Sequence, residues 1–421
     1  MRMPQRPVRR SRRSHGGSGE PSVLIAHPSA DLYGADLQLL ESVTGLVDAG
    51  WRVVVAMPDT GPLQALLEQR GAEVAIARFP VLRRAYASPR GIVHLAGASG
   101  RALPALVHLV RSVDPAVIVV NTATLPWWQL LARICRVPVL VHVHEAETED
   151  RWAIRFLLTA PLMLSTSVVV NSRSSAAAAC DAVPLLRSRI RLVYNGVLGP
   201  DHQLDSAPDG PLRAVVVCRL SPRKAPDVAL EAMALVRAAG VDADLEVCGT
   251  AFEGYEWFEE QLTSRAEQVP LTGHVIWSGY VSPIWPALQR AHVVLAPSLR
   301  EPFGNAVVEA QLAGRPVIAA AAHGHLETVE DGETGLLVAP GDAQALADAV
   351  VRLDADPQLR LRLAQQGRRS AEARFSVARY RTEFASAVAD IARRRVQLTA
   401  AEPTTSDPPA TRGAATASSH R

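Results

Sequence analysis

Residues 293–309 read Val-Val-Leu-Ala-Pro-Ser-Leu-Arg-Glu-Pro-Phe-Gly-Asn-Ala-Val-Val-Glu. An apolar run ends at Pro297 and Ser298, a loop containing Gly304 follows, and a helix begins. Behind it, residues 310–319 close that helix at Gly314 and open a new apolar run from Val317. Strand, tight loop, helix and strand in this order are the repeating unit of a parallel sheet. The loop also offers an anion the free N–H groups and positive dipole of a helix N-terminus. Glu301 and Glu309 flank that seat, and carboxylates suit sugar hydroxyls better than phosphates. Anion seat and acids together imply a ligand carrying both phosphate and sugar.

Outward from this stretch the same alternation fills the chain. Short apolar runs at 22–26, 52–56, 73–76, 117–120, 139–143, 167–170 and 191–193 are separated by helical stretches. That is the pattern of a parallel sheet buried on both faces. A polar stretch with Pro, Gly and Asp at 198–211 breaks it and reads as a linker. A second set of runs follows at 214–218, 245–248, 275–277, 293–296, 317–320 and 336–338. Pro226 and Asp227 open a helix that closes at Gly240, and Asp342 caps another. Tyr380, Phe384, Val388 and Ile391 recur at helical spacing, so the last helix must dock on something. The expected fold class is α/β, with two doubly wound Rossmann-like domains facing each other across a cleft at the carboxyl ends of their strands. The expected organisation is a disordered basic arm (1–20), a first domain (21–197), the linker (198–211), a second domain (212–375), a C-terminal helix (376–396) and a disordered tail (397–421).

A chain of 421 residues fits roughly two to three domains. Lys and Arg number 44 against 42 Asp and Glu, so no global field points to nucleic acid. Arg6, Arg9, Arg10, Arg12 and Arg13 crowd the arm, which reads as a solubilising segment or a weak contact for anionic lipid headgroups. Cys135, Cys180, Cys218 and Cys248 form no Cys-x-x-Cys pair and read as small buried hydrophobes in a reducing compartment. The arm leads into only four apolar residues, 23–26, so no signal peptide is expected. The longest uncharged run, 156–170, is short for a membrane span and contains Pro161. The expectation is a cytoplasmic protein with at most a peripheral hold on the inner face of the membrane. No Gly-x-Gly-x-x-Gly is present, which argues against a nicotinamide or flavin site.

The Glu-x7-Glu element at 301–309, with Phe-Gly-Asn inside it, resembles the donor-site signature of retaining glycosyltransferases of family 4. These are GT-B fold enzymes that use nucleoside diphosphate sugars. Cys-Arg-Leu-Ser-Pro-Arg-Lys-Ala at 218–225 resembles the family's Gly-Arg-Leu-x-x-x-Lys-Gly, with Cys218 and Ala225 replacing both glycines. The matches run from about residue 22 to residue 380. The resemblance implies Glu309 on the ribose hydroxyls, Glu301 on the transferred sugar, and backbone at Phe303, Gly304 and Asn305 on the phosphates. Arg219 and Lys224 would stabilise the departing diphosphate more in the transition state than in the ground state. Arg223 is expected to stand aside.

In Val-His-Val-His-Glu at 141–145 the family carries a histidine beside the transferred sugar. His144 is favoured over His142, the two being read as pointing to opposite faces of the strand. Gly34, in Asp-Leu-Tyr-Gly-Ala-Asp at 31–36, would let a ligand approach the backbone ahead of a helix starting near Asp36, although the family usually has two glycines there. Gly249, and Gly279 with Tyr280 and Val281, would border the nucleotide base. Tyr194-Asn-Gly-Val also matches the family, and reads equally as a turn into the linker.

His144, Glu301, Arg219 and Lys224 thus form the expected catalytic set, for transfer of a hexose-like unit with retention. No covalent nucleophile stands out. No cofactor or metal is expected, because two fixed cations serve the diphosphate; Asp242-x-Asp244 and Asp354-x-Asp356 read as turn and cap residues remote from the cleft. The rival readings are a GT-B nucleotide-sugar epimerase, a non-catalytic nucleotide-sugar-binding protein, and a glycosidase using the two glutamates. A glycosidase needs carboxyls about 5–9.5 Å apart, whereas eight helical residues rise about 12 Å; Pro302, placing Glu301 ahead of the helix, softens that objection. The acceptor, whether glycan, lipid-linked or small molecule, has few signals. Arg83 and Arg84 beside Val81, Leu82 and Tyr86, and Trp127-Trp128, either touch a lipid-linked acceptor or membrane, or simply pack.

Overall fold

A computed structural model describes residues 20–400 apart from 33, 83–88, 145–151, 206–208 and 253. The arm up to residue 19, the tail from 401, and Arg83, Arg84 and Tyr86 therefore lie outside the described residues. The first domain holds β1 (Ser22–Ala26), β2 (Arg52–Met57), β3 (Glu73–Ile76), β4 (Val117–Val120), β5 (Val139–Val143), β6 (Ser167–Val170) and β7 (Ile190–Leu192). They form one parallel sheet in the order β3-β2-β1-β4-β5-β6-β7. The second domain holds β8 (Leu212–Val217), β9 (Ala243–Cys248), β10 (Val275–Gly279), β11 (Val293–Ala296), β12 (Val317–Ala320) and β13 (Leu336–Val338). Their order is β10-β9-β8-β11-β12-β13, again parallel.

Central strands are largely apolar because helices cover both faces; β4, Val-Ile-Val-Val, is fully buried. β8 and β9 each begin two residues before their apolar runs, since Arg213 and Asp244 stand side by side in the ladder and hide the strand starts. Strand order reverses between β1 and β4 and between β8 and β11. Helices leaving those neighbouring strands diverge, which opens a crevice beyond their carboxyl ends.

The last helix, Val377–Ala400, leaves the second domain and lies along helix Gly34–Asp48 of the first. Tyr380, Phe384, Val388 and Ile391 are buried there with Leu39, Val43 and Leu46. Tyr380 Oη sits 2.5 Å from Ser42 Oγ, and Arg381 Nε donates to Glu41 at 2.8 Å. The approach is close enough that a Cβ on Gly45 would lie 2.8 Å from the Arg381 backbone. The chain between the domains is also held down: the Val197 amide donates to Phe375 O at 2.9 Å. Val197, Phe303, Val308, Leu312, Ala371 and Phe375 form a small core of their own, with Tyr194 packed on it. Trp128 is fully buried and meets Phe79 edge-on at 5.4 Å, so it serves ordinary packing, and Trp127 lies half-buried against the same core. Among the described residues no helix is long and apolar enough to cross a membrane.

Gly45→Val is expected to lower the melting temperature by several degrees, since overpacking a tight contact costs roughly 1–3 kcal/mol. Gly97→Ala, in helix Pro89–Val113 with nothing within 4 Å of the added carbon, should leave it unchanged or raise it. Thermal unfolding followed by circular dichroism separates the two; equal stability of Gly45→Val and wild type would contradict the docking of the last helix.

Candidate functional site

β8 and β11 are neighbours, so the loops that follow them meet. The loop after β8 is pinned by Cys218 N to Cys248 O and Leu220 N to Thr250 O, both 3.0 Å, and turns at Lys224, whose amide donates to Ser221 O at 2.9 Å. Ala225 then adopts a left-handed conformation, φ +51°, before helix Pro226–Ala238. A left-handed alanine costs roughly 1–2 kcal/mol over glycine, which explains why the family places glycine there. Gly249 is essential to the convergence, because a Cβ there would lie 1.7 Å from Cys218 O. The Arg219 guanidinium lies 3.8 Å above the centre of the Phe252 ring.

Lys224 reaches across to the Glu301 carboxylate in a part-buried ion pair. Burial opposes ionisation of Glu301, but Lys224 and then His325 more than offset it, and the carboxyl is held below its usual range. His325 is itself buried, which lowers its pKa against the pull of Glu301; its Nδ1 lies 3.0 Å from Ala320 O. Gly304, φ +104°, lets this ring approach: a Cβ there would lie 2.9 Å from His325 Cδ2. Helix Asn305–Leu312 starts at this point, and the amides of Gly304, Asn305 and Ala306 have no protein acceptor among the described residues. Glu309, one turn along, is half-buried with no hydrogen-bond or ionic partner among the described residues, and burial pushes its carboxyl up to about 7. The Phe303 side chain points away into the small core with Phe375 at 5.3 Å, so only its backbone is available to a ligand.

In the first domain the ends of β1, β4 and β5 bring His27, Asn121 and His144 together. His144 Nε2 lies 3.1 Å from Asn121 Oδ1, Asn121 Nδ2 lies 3.0 Å from His27 Nδ1, and His27 Nε2 lies 2.7 Å from Asp36 Oδ1. Burial, then His27, drive the His144 pKa down to about 3 against the opposing pull of Asp36, so its ring is neutral. The expectation that His142 and His144 point to opposite faces is wrong. Their ring centroids are 4.0 Å apart, because residues two apart along a strand share a face. His142 is fully buried between His144 and the last helix, 5.3 Å from the Phe384 ring centroid, which leaves His144 as the more exposed of the two.

The two halves touch at Gly34 and Asn305. A Cβ on Gly34, the first residue of its helix, would lie 3.6 Å from Asn305 Nδ2, and Asn195 Nδ2 donates to Asn305 Oδ1 at 3.0 Å. Nearby, Glu327 of the second domain accepts from the amides of Arg173 and Ser174 of the first at 2.9 and 3.0 Å, clamping a helix N-terminus across the domain boundary. Lys224, Glu301, Gly304, Asn305, Gly34 and Gly249 are thus drawn to one crevice. Beyond β10, Tyr280 is exposed at 63 % and the Val281 side chain packs against a core. The Arg223 guanidinium donates to Arg300 O at 3.0 Å, and its charge is among those that lower the Glu301 pKa. The Asp-x-Asp pairs are structural: Asp244 bonds His274 at 3.0 Å, and Asp356 caps helix Pro357–Arg374. His27, Asp36, Asn121 and His325 escaped the sequence reading; His27 and Asn121 directly follow the apolar runs 22–26 and 117–120, a signal that could have found them.

Glu309 has a folded-state pKa near 7, above the ordinary carboxylate value of about 4.3. Its protonated form stabilises the native state fully below about 4.3, and that stability is lost as pH rises through 7. Glu309→Gln should therefore melt higher than wild type at pH 8, with the gap closing as the pH falls toward 4.3. A gap independent of pH, read from melting temperatures, would show that Glu309 is not strained by burial.

Residues 34–197 match Glycosyltransferase Family 4, and residues 201–370 match Glycosyl transferases group 1. The lipopolysaccharide core biosynthesis glycosyltransferase LpsE of Rhizobium meliloti is 33% identical over 117 residues, 28% of this chain and 34% of that protein. The phosphatidyl-myo-inositol mannosyltransferase of Mycobacterium leprae is 36% identical over 151 residues, 35% of this chain and 38% of that protein. The chain thus spans little more than a third of the curated relatives it matches. A crystal structure of Anabaena HepE in complex with UDP superposes with a TM-score of 0.75 at 22% identity, covering 88% of this chain and 100% of that one. With two parallel sheets facing across a crevice and a family match on each side of it, the chain belongs to the GT-B glycosyltransferases of family 4.

Proposed function

We propose that the protein transfers a sugar from a nucleoside diphosphate sugar to an acceptor hydroxyl, with retention at the anomeric carbon. The observation that carries this reading is the Lys224–Glu301 pair beside the amides of Gly304, Asn305 and Ala306, which, like Glu309 on the same helix, have no partner among the described residues. A diphosphate would take the amides and Lys224, as anions do at helix N-termini. Glu301, released in part from Lys224, would accept hydroxyls of the transferred sugar. Ribose hydroxyls donating to Glu309 would favour its ionised form and so supply the partner it lacks.

As the bond from the anomeric carbon to the phosphate oxygen breaks, negative charge collects on the diphosphate. Lys224 and Arg219 would meet that charge; the Arg219 guanidinium rests over the Phe252 ring. On the retaining reading the acceptor oxygen attacks the same face, and its proton passes to the departing phosphate oxygen. Neutral His144 would hydrogen-bond the sugar without adding charge. The two cations make a metal dispensable in this scheme.

Support for the donor class comes from HepE, a protein of the same fold whose structures hold UDP, glucose and UDP-glucose. Support for a glycan or lipid-linked acceptor comes from relatives named for lipopolysaccharide core and phosphatidyl-myo-inositol. Such acceptors would place the protein in the cytoplasm, at the inner face of the membrane. One observation favours a second reading: a raised Glu309 paired with a lowered Glu301 resembles the acid and nucleophile of a glycosidase, although nothing brings the two carboxyls into contact among the described residues. Hydrolysis of simple glycosides without nucleotide would favour that reading, and epimerised donor formed without acceptor would favour an epimerase.

A thermal-shift panel of UDP, GDP and ADP with their sugars should select one donor, since a ligand that binds the native state raises its melting temperature. With that donor, Lys224→Ala and Glu309→Ala should each lower kcat/KM by about 100-fold or more, with unchanged circular dichroism. Full activity in both variants would overturn the proposal.

A further inference from the structure

The first-domain cluster contains more order than the reading above uses. Asp36, His27 and Asn121 are 3 %, 1 % and 1 % exposed, and their hydrogen bonds run in one line to the half-buried His144. Each link constrains the next. Asp36 can only accept while ionised, and it also takes the Ser29 hydroxyl at 2.8 Å, so the His27 nitrogen facing it, Nε2, carries a proton. In the neutral ring Nδ1 is then an acceptor, and the Asn121 group facing it at 3.0 Å must be the amide nitrogen. That turns the Asn121 oxygen toward His144 Nε2 at 3.1 Å, where a proton on Nε2 completes the line. Asparagine is the side chain suited to the middle place, because its one planar group donates on one side and accepts on the other.

We propose that Asp36, His27 and Asn121 are positioning residues that fix His144 as the Nε2–H tautomer, leaving Nδ1 as its hydrogen-bond acceptor. This rests on the transferase reading, in which His144 stands beside the sugar. A neutral ring with Nδ1 accepting suits a hydrogen bond donated by a sugar hydroxyl; the other tautomer would oppose that hydroxyl with a donor. The carboxylate at the far end matters because it gives the line its direction. Without it both His27 and Asn121 can reverse, and His144 loses its preference.

The test has two arms. In the first, nitrogen chemical shifts of 15N-histidine-labelled wild-type protein are measured without any substrate. His144 as a neutral Nε2–H ring is the expected result; an Nδ1–H ring or a charged ring overturns the proposal. In the second, kinetics are compared for His27→Gln, His27→Leu and Asn121→Asp, using whichever of UDP-glucose, UDP-N-acetylglucosamine, GDP-mannose or ADP-glucose the wild type turns over. Gln can donate to Asp36 and accept from Asn121, so His27→Gln should keep kcat within about threefold. His27→Leu fills the space without direction, and Asn121→Asp keeps the shape but can only accept. Both should lose about 10- to 100-fold in kcat, as loss of an orienting partner does, with KM for the donor little changed.

Equal kcat for His27→Gln and His27→Leu overturns the proposal even if Asn121→Asp fails to fold, because a purely structural role responds to volume and not to direction. If the wild type turns over none of the four donors, the transferase reading fails, and the use assigned to the fixed tautomer fails with it. The first arm shows separately whether the tautomer itself exists.

Discussion

Lys224 and Glu301 hold each other across the ends of two adjacent strands, and the crevice of the second domain is organised around that contact. A half-buried carboxylate at Glu301 would be costly alone. With Lys224 against it and His325 behind, it stays ionised and anchors the loop that turns at Gly304. Gly324, whose amide donates to Glu301 O at 2.8 Å, ties the loop after β12 to the same place. Three consecutive strand ends, β8, β11 and β12, are therefore locked together, and the start of helix Asn305–Leu312 is presented with open amides.

That arrangement is polar at a place where a fold optimised only for stability would be apolar. Glu309 has no partner among the described residues to repay its burial, Ala225 occupies a conformation that suits glycine, and the first domain buries an aspartate with two histidines and an asparagine. The surrounding structure absorbs these costs through the apolar cores on both faces of the two sheets and through the last helix. By returning from the second domain to the first, that helix also sets how the two crevices face one another, and Glu327 and Asn305 add polar contacts across the same boundary.

Much of this was legible in the chain. Apolar runs in a parallel sheet are nearly continuous, so eleven of the thirteen strands coincide with the runs or extend them; β7 lies one residue earlier than expected, and β8 starts two residues earlier and stops one short of Cys218. The stretch around 301–309 showed its loop and helix start because Pro302 and Gly304 punctuate it. The histidine cluster was harder to read. His27 and Asp36 lie nine residues apart, but Asn121 and His144 reach them only through strand pairing, which local sequence does not contain. The misreading of His142 came from its own strand: Val-His-Val-His places both rings on one face, and burial by the last helix, not alternation, separates their roles. Glu327 carried no local mark at all, since its partners are backbone amides of the other domain.

The central claim is that a pyrophosphate sits between Lys224 and the start of helix Asn305–Leu312. A crystal structure of the protein soaked with a nucleoside diphosphate tests it most directly. The account predicts phosphate oxygens within hydrogen-bond distance of Lys224 Nζ and of at least two of the amides of Gly304, Asn305 and Ala306, with Glu309 against the ribose. A diphosphate bound elsewhere, with the Lys224–Glu301 pair undisturbed and those amides facing solvent, would contradict it.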